Sequence, residues 1–431
     1  MGEEKIKVEI REFNEENRDI EMVEKLERSC EIGSKIKGAS IFTNMMGDPL
    51  CRITFFPLHI MLVAELPENG EIVGVVRGCI KSLGIARSGV GVGEANTMKI
   101  GCILGLRVSP AHRTMTDDFK VLTNFGKRRM GIGLKLVHSV EEWVIRNGAN
   151  YAFLAIEKKN KASKNLFTKK CNYVKFSSLV IFRQPLIVFP TTKDHNIISK
   201  GEIIKTEKLN IEQAISFYTN TLTTKGGVYP MDFDMILKEK LSLGTWVSYF
   251  NQEDWTHHLI CSQKDSDQIY QRMPSSWVVF SIWNTCKAYK FQIRESKSDQ
   301  LLPLRFLKSA RKKFVSCFKM PNSVSFGKSF GFFFLYGIFG EGERVGELVE
   351  SIWIFASRLA EDEKDCKAIV TELSVSDPII NHVPRNVSMS RVNDNLYLKR
   401  LSVHSDDEKD ETLLSKDMET AANVIVDPRD F

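Results

Sequence analysis

Arg128, Gly131 and Gly133 stand in the spacing R-x-x-G-x-G, in the string RRMGIG that opens an amphipathic stretch. Glycines so placed let backbone N–H groups approach a phosphate closely. A helix starting there adds unpaired donors and the positive end of a dipole. Arg128 and Arg129 supply charge suited to a pyrophosphate. The same string also serves as an ordinary strand-to-helix turn, so its chemistry depends on its surroundings. Other reactive side chains are scattered. The nine cysteines include no C-x-x-C, which argues against a zinc module or a disulfide framework. Among eight histidines only His257 and His258 are adjacent, with no carboxylate or Cys at ligand spacing, so no metal site is expected.

The chain that carries this string has 431 residues, which suits two or three domains at roughly 150 residues each. Its 43% hydrophobic and 26% charged residues are an ordinary globular balance. Sixty Lys and Arg against 54 Asp and Glu leave a net charge of +6, too mild to suggest direct nucleic-acid binding. The opening MGEEKIKVEI is charged rather than apolar and has Ile at position six. It fits neither a secretory signal nor a myristoylation pattern. The longest apolar run, GFFFLYGIFG, is too short to cross a bilayer. These features predict a soluble, reduced protein of the nucleus or cytoplasm, with no membrane partner.

Periodicity then places the elements. KVEIREF alternates as a strand, and Asn14 offers an N-cap, with Asn17 in the capping-box position, for the helical ENRDIEMVEKLERS. HIMLVAEL and EIVGVVRGCIKSL read as a hairpin turning at Asn69 and Gly70. Residues 84–98 read as a loop, and CILGLRVSP as a strand stopped by Pro110. GIGLKLVHSVEEWVIRNG puts Leu136, Val140, Trp143 and Val144 on one helical face and ends at Asn147-Gly148. The strand YAFLAIE and the helix ASKNLFTKKC follow. After a break at 184–206, the second half gives a helix (LNIEQAISFYTNTL), strands (TWVSYF, WVVFSIWN, YKFQIRES, GFFFLYGIF), a helix (ERVGELVESIWIFASRLAED) and a strand (KAIVTEL). The run strand, glycine turn, amphipathic helix, strand occurs in both halves, which suggests a duplicated unit.

LGLRVSPAHR, RRMGIGLKL and NKASKNLF, in this order of elements, resemble the GCN5-related N-acetyltransferase (GNAT) superfamily. ERSCEIG, GDPLCRI, MLVAEL, IVGVVRGCIK, NLFTKKC, LSLGTWV and the terminal VDPRDF bring the chain closer still to the Hookless-type plant N-acetyltransferases. The resemblance implies an α/β mixed-sheet acetyltransferase fold with a second, GNAT-like α/β domain. It implies acetyl-CoA as co-substrate, without metal. Leu106 and Val108 would bind the acetyl and pantetheine amides. Arg128, Arg129, Met130, Gly131, Ile132 and Gly133 would cradle the pyrophosphate, and Asn160 would contact the cofactor arm. The acceptor would be an amine: a protein lysine such as one on a histone, an N-terminus, or a small metabolite. A role in plant hormone-controlled differential growth follows from the resemblance alone.

Three departures qualify the transfer of roles. Residues 114–128, TMTDDFKVLTNFGKR, separate His112-Arg113 from the glycine loop, where the family keeps them contiguous. The stretch has no apolar period and reads as retained intron sequence or an unusual splice form, and it leaves Arg113 as an alternative to Arg128. Phe167 stands where many relatives carry a proton-donating tyrosine, with Tyr173 or Tyr151 as substitutes. Asn172 replaces an expected glycine and tolerates a left-handed turn. For the general base, Glu157 at the end of YAFLAIE is the candidate, with Glu65 as the weaker alternative. Cys171 and Cys102 read as buried thiols rather than acyl carriers. In the second half Glu341 and Glu343 stand at the equivalent turn, where they would repel a pyrophosphate. The basic run at 309–314 offers either a nuclear address or a solvated face. The expected layout is 1–183 for the acetyl-CoA-binding domain, 184–206 for a linker, 207–403 for a degenerate acetyltransferase-like domain and 404–431 for an acidic tail with a short end. The rival reading is a catalytically decayed module that acts through regulatory partners or self-association.

Overall fold

The computed structural model describes residues 8–36, 39–86, 96–113, 131–186, 197–225, 227–252, 274–295, 328–385, 389–402 and 424–431. The first half contains β1 (Glu9–Glu12), α1 (Asn17–Ser29), β2 (Ile32–Ile36), β3 (Ala39–Asn44), β4 (His59–Leu66), β5 (Glu71–Ala86), β6 (Asn96–Val108), α2 (Ile132–Arg146), β7 (Tyr151–Glu157), α3 (Lys161–Lys169) and β8 (Val174–Pro185). The second contains β9 (Ile197–Ser199), β10 (Glu202–Leu209), α4 (Ile211–Lys225), β11 (Gly227–Pro230), α5 (Phe233–Lys238), β12 (Ser242–Phe250) and β13 (Trp277–Asn284). It continues with β14 (Lys290–Glu295), β15 (Ser329–Glu341), α6 (Val345–Leu359), β16 (Cys366–Ser374) and β17 (Ser390–Arg400).

One mixed sheet runs through both halves in the order β1-β4-β5-β6-β7-β17-β8-β16-β15-β13-β12-β10-β9. Within this run the β6–β7 and β15–β16 ladders are parallel, and the other neighbours are antiparallel. The two halves exchange strands at the centre. β17 lies between β7 and β8, and β8 lies between β17 and β16. The connectivity therefore repeats about the middle of the sheet. β2, β3 and β14 make a side ribbon that joins β15.

The helices sit where their apolar periods require. α2 buries Leu136, Val137, Val140 and Val144 on the strands of the first half. α6 buries Leu348, Val349, Ile352 and Trp353 on those of the second. Each full aliphatic burial is worth roughly 1.5–3 kcal/mol, more than the local propensity of either helix. Among the described residues no helix is long and apolar enough to cross a membrane.

Several local expectations shift. α1 is capped by Glu16, without a side-chain bond, instead of by Asn14. Asn14 accepts from the Glu16 N–H at 3.3 Å, while Asp19 turns back to the Asn14 N–H and to Arg11. Of the loop expected at 84–98, residues 84–86 belong to β5 and 96–98 to β6, while 87–95 lie outside the described residues. The segment 184–206 carries the end of β8 and the β9–β10 hairpin, with 187–196 outside the described residues. Asn172 does adopt the left-handed conformation, at φ 61°.

Candidate active site

β6 and β7 pair only at Ile100↔Tyr151, Gly101↔Ala152 and Cys102↔Phe153, although they continue to Val108 and Glu157. The cause is a bulge. The β5–β6 register shifts between Val75 and Arg77, and Gly105 opposite takes φ 57°. A Cβ on Gly105 would lie 2.9 Å from Arg77 Nη1, so a side chain here would meet both strain and a clash. Arg77 is held beneath by Glu27 at 2.8 Å and the Pro49 carbonyl at 2.9 Å. The bulge steers β6 away from β7 and opens a gap between two parallel strands. Such a gap leaves backbone amides unspent on the ladder.

The glycine loop lies beside the end of β6. Gly131 caps α2 with φ 65°, and a Cβ there would meet no atom within 4 Å. That open, left-handed position at a helix start suits an anion. A Cβ on Gly133 would make ordinary contacts with Leu166 at 3.4 Å and Val108 at 3.8 Å, so the local space alone does not demand the second glycine. Val108 ends β6, and its carbonyl accepts Arg113 Nε at 2.7 Å. Arg128, Arg129, Met130 and the 114–128 stretch lie outside the described residues. So do His257, His258 and the basic run at 309–314.

A cavity of about 650 Å³ opens from the gap and extends along one face of the sheet. Leu106, Glu157 and Asn160 line it together, whereas Val108, Gly131, Ile132 and Gly133 do not. Asn160 caps α3 by accepting the Ser163 N–H at 3.1 Å, and its own N–H donates to the Glu157 carbonyl at 2.8 Å. One turn therefore sets both side chains. Across the ladder Glu157 faces Asp394 of β17, which also lines the cavity. Burial, and then the nearby Glu157, push the Asp394 carboxyl up to about 6, with Arg183 opposing.

The alternatives separate from this site. Glu65 is bound to Arg11 and Arg18 at the outer edge of the sheet, away from the cavity lining. Neither Tyr173 nor Tyr151 lines the cavity, whereas Phe167 does. Tyr173 is buried edge-on against Phe167 at 5.4 Å, and burial, then Glu141, push its hydroxyl far above the usual range. Burial raises the Cys171 thiol to about 11 and Cys102 well above its normal value, so neither is a ready nucleophile.

The second half supplies groups that local sequence did not reveal. Asp394 and Glu372 join Arg183 of the first half in the cavity because β17 and β16 flank β8 there. The segment 424–431 forms another wall. Lys81 is buried between Asp427, at 3.1 Å, and Asp430. Burial opposes the lysine charge, but the two carboxylates outweigh it and hold Lys81 above its usual range. Arg429 grips Asp232 at 2.7 and 2.8 Å, and Phe431 packs on Phe334 at 4.8 Å. The signal available was the string VDPRDF, whose two acids flank an arginine in an otherwise polar tail.

At the equivalent place in the second half the chain fills its own space. A Cβ on Gly342 would lie 2.2 Å from the Ser275 carbonyl, and one on Gly346 would lie 2.9 Å from His382. Arg344 caps α6 and turns to Glu347 and Glu202.

A splayed parallel pair with a glycine-opened helix beside it defines the frame of an acyl-group transferase. The family model described as "Acetyltransferase (GNAT) family" matches residues 45–173. The chain is 32% identical to the probable N-acetyltransferase HLS1-like of Arabidopsis thaliana over 98% of its length and 99% of that protein. It is 33% identical to the probable N-acetyltransferase HLS1 of the same plant, with the same coverage. The rice acetyl transferase GW6a is 26% identical over 99% of this chain and 98% of its own. The chain belongs to the GNAT acetyltransferase family, among these HLS1-type probable N-acetyltransferases. Among solved structures, Saccharomyces cerevisiae N-myristoyltransferase with bound myristoyl-CoA aligns at 11% identity and a TM-score of 0.49. That alignment covers 91% of this chain and 79% of the yeast one.

Proposed function

We propose that the protein transfers an acetyl group from acetyl-CoA to a primary amine. The observation that carries this reading is the gap at Gly105, with Glu157 and Asp394 on the wall of the cavity that extends from it and the glycine-opened helix start beside the end of β6. The residues present fit the co-substrate: an open left-handed helix start for a diphosphate, and a gap lined by Leu104, Leu106 and Phe167 for an extended arm. Acetyl-CoA supplies an activated thioester carbonyl and a thiolate leaving group. The loop from Arg128 to Gly133 binds the diphosphate, with Arg113 as alternative for the first arginine. The β6 backbone at Leu106 and Val108 orients the arm, and its amides polarise the acetyl oxygen. Asn160 holds the turn beside the arm. Glu157 takes the proton of the attacking amine, directly or through water. Asp394 keeps a second carboxylate within reach, with an affinity for protons close to neutrality.

The acceptor is a protein lysine, an N-terminus or a small amine. The growth role belongs to the same proposal and rests on the family resemblance. The second half reads as a copy that has lost its cofactor loop, supported by the filled space at Gly342 and Gly346. Phe167, with neither Tyr173 nor Tyr151 in the cavity lining, favours a second reading in which catalysis has decayed and binding persists. Calorimetric titration of acetyl-CoA into the chain and into a form lacking residues 114–128 separates these. Binding by both, followed by release of CoA with an amine, supports transfer. Binding only by the shortened form marks the long loop as inhibitory, and binding by neither refutes the proposal.

A further inference from the structure

Glu372 differs from the paired carboxylates of the cavity, Asp427 and Asp430, in making no ion pair among the described residues. It lies on β16, with its side chain on the same face as Ala368 and Val370, and all three line the cavity. It is half-buried, and its exposed surface faces the cavity. Among the described residues nothing gives it a hydrogen bond or an ion pair. Its cross-strand partner is Ile181, an apolar residue that also lines the cavity. Burying a carboxylate costs several kcal/mol unless a cation or donors compensate. By contrast Asp427 and Asp430 hold Lys81, and Glu27 holds Arg77. A carboxylate left without a partner, at the wall of a cavity that also holds the proposed base, is a site awaiting a cation.

We propose that Glu372 binds the ammonium of the acceptor, and that the acceptor is a primary alkylammonium with an apolar stem. The stem lies over Val370, Ala368, Ile181 and Phe332, which form a continuous apolar wall beside the carboxylate. The second half thus serves as the acceptor-binding half, while the gap at Gly105 serves the donor. This inference rests on the acetyl-transfer reading for its purpose, but not for its test.

Burial, with Asp394 and Asp430 nearby, raises the Glu372 carboxyl well above its usual range. The charged groups lining the cavity around it are Arg183 on β8, Asp394 on β17, and Asp430 with its partner Lys81. The empty site therefore holds its proton more firmly than an ordinary carboxyl does. An alkylammonium entering replaces that proton, which leaves to the buffer while the carboxylate pairs with the cation. Affinity for the amine rises with pH through this exchange.

The test is calorimetric titration of n-pentylamine and 1-pentanol at pH 7, in phosphate and in imidazole, whose ionisation enthalpies differ. The unaltered protein is expected to bind pentylammonium more tightly than pentanol, with a proton release that Glu372→Gln lacks. Glu372→Gln should bind pentylammonium about tenfold more weakly or worse and release none, with pentanol unchanged. Val370→Phe, which crowds the stem, should weaken both probes, and Glu157→Gln should leave pentylammonium binding intact. Equal pentylammonium binding by Glu372→Gln and the unaltered protein overturns the proposal. So does a lack of preference for the amine over the alcohol. A separate titration with acetyl-CoA keeps the two readings distinct. If pentylammonium binds through Glu372 and acetyl-CoA does not bind, this inference stands and the transfer reading falls.

Discussion

Asp394 should lower the stability of the empty protein at neutral pH, and replacing it with Asn should recover that stability. Its carboxyl is raised from 3.8 to about 6, first by burial and then by Glu157. At 1.36 kcal/mol per unit, the ionised form costs about 3 kcal/mol. The side chain faces an open cavity, so solvent reduces the figure, and about 1–3 kcal/mol is the working range. The sign follows from proton counts. Between 3.8 and 6 the folded chain keeps a proton that the unfolded chain has lost, so stability falls as pH rises through that window. Above 6 the full cost is present, and below 3.8 none is. Asp394→Asn removes the charge at nearly constant shape. Denaturant unfolding at pH 4 should show little difference between the two proteins. At pH 8 the variant should be more stable by about 1–3 kcal/mol, provided unfolding is two-state. If Asp394→Asn is the less stable protein at pH 8, or the difference does not change with pH, the carboxyl is not in the strained state described. Activity should move the opposite way. The rate profile should carry an acid limb near pH 6 from Asp394, and that limb should shift or disappear in Asp394→Asn.

Three further outcomes are expected. Glu157→Gln should lower kcat about 100-fold while leaving acetyl-CoA affinity unchanged in calorimetry, and an unchanged kcat would dismiss it as the base. Gly131→Ala should cost about 1 kcal/mol in denaturant titration from the left-handed backbone alone, because the added methyl has open space. Gly131→Asp should in addition weaken acetyl-CoA about tenfold or more, since it places a carboxylate where a diphosphate is proposed to sit. Lys81→Met leaves Asp427 and Asp430 without their shared cation and should cost about 3–5 kcal/mol, and a loss below about 1 kcal/mol would count against the clamp.

Local periodicity carried a good share of this architecture. The β13 strand, the faces of α2 and α6, and the turn into α3 follow from side-chain patterns within a few residues of each other. The glycine spacing that opens α2 was equally legible, because a left-handed helix start needs glycine there. Asp394 and Glu372 were not legible. They reach the site through the β17–β7 and β16–β8 ladders, which join residues more than 180 positions apart. No local period encodes such a pairing. Nor does the sequence around Gly105 announce its bulge, which depends on Arg77 and Glu27 filling the space beneath. The capping error at Asn14 has the same origin, since Asp19 is drawn away by Arg11.

The exchange of β8 and β17 also sets an order on synthesis. When β7 leaves the ribosome, its outer edge has no partner, because the strand that covers it ends at Arg400. At about 5–20 residues per second the wait lasts on the order of tens of seconds. Throughout that time an apolar edge, flanked by the Val-rich face of α2, is open to other nascent chains. The first half should therefore aggregate when made alone as residues 1–185. It should stay in solution when residues 197–431 are supplied during translation and the missing strand can dock.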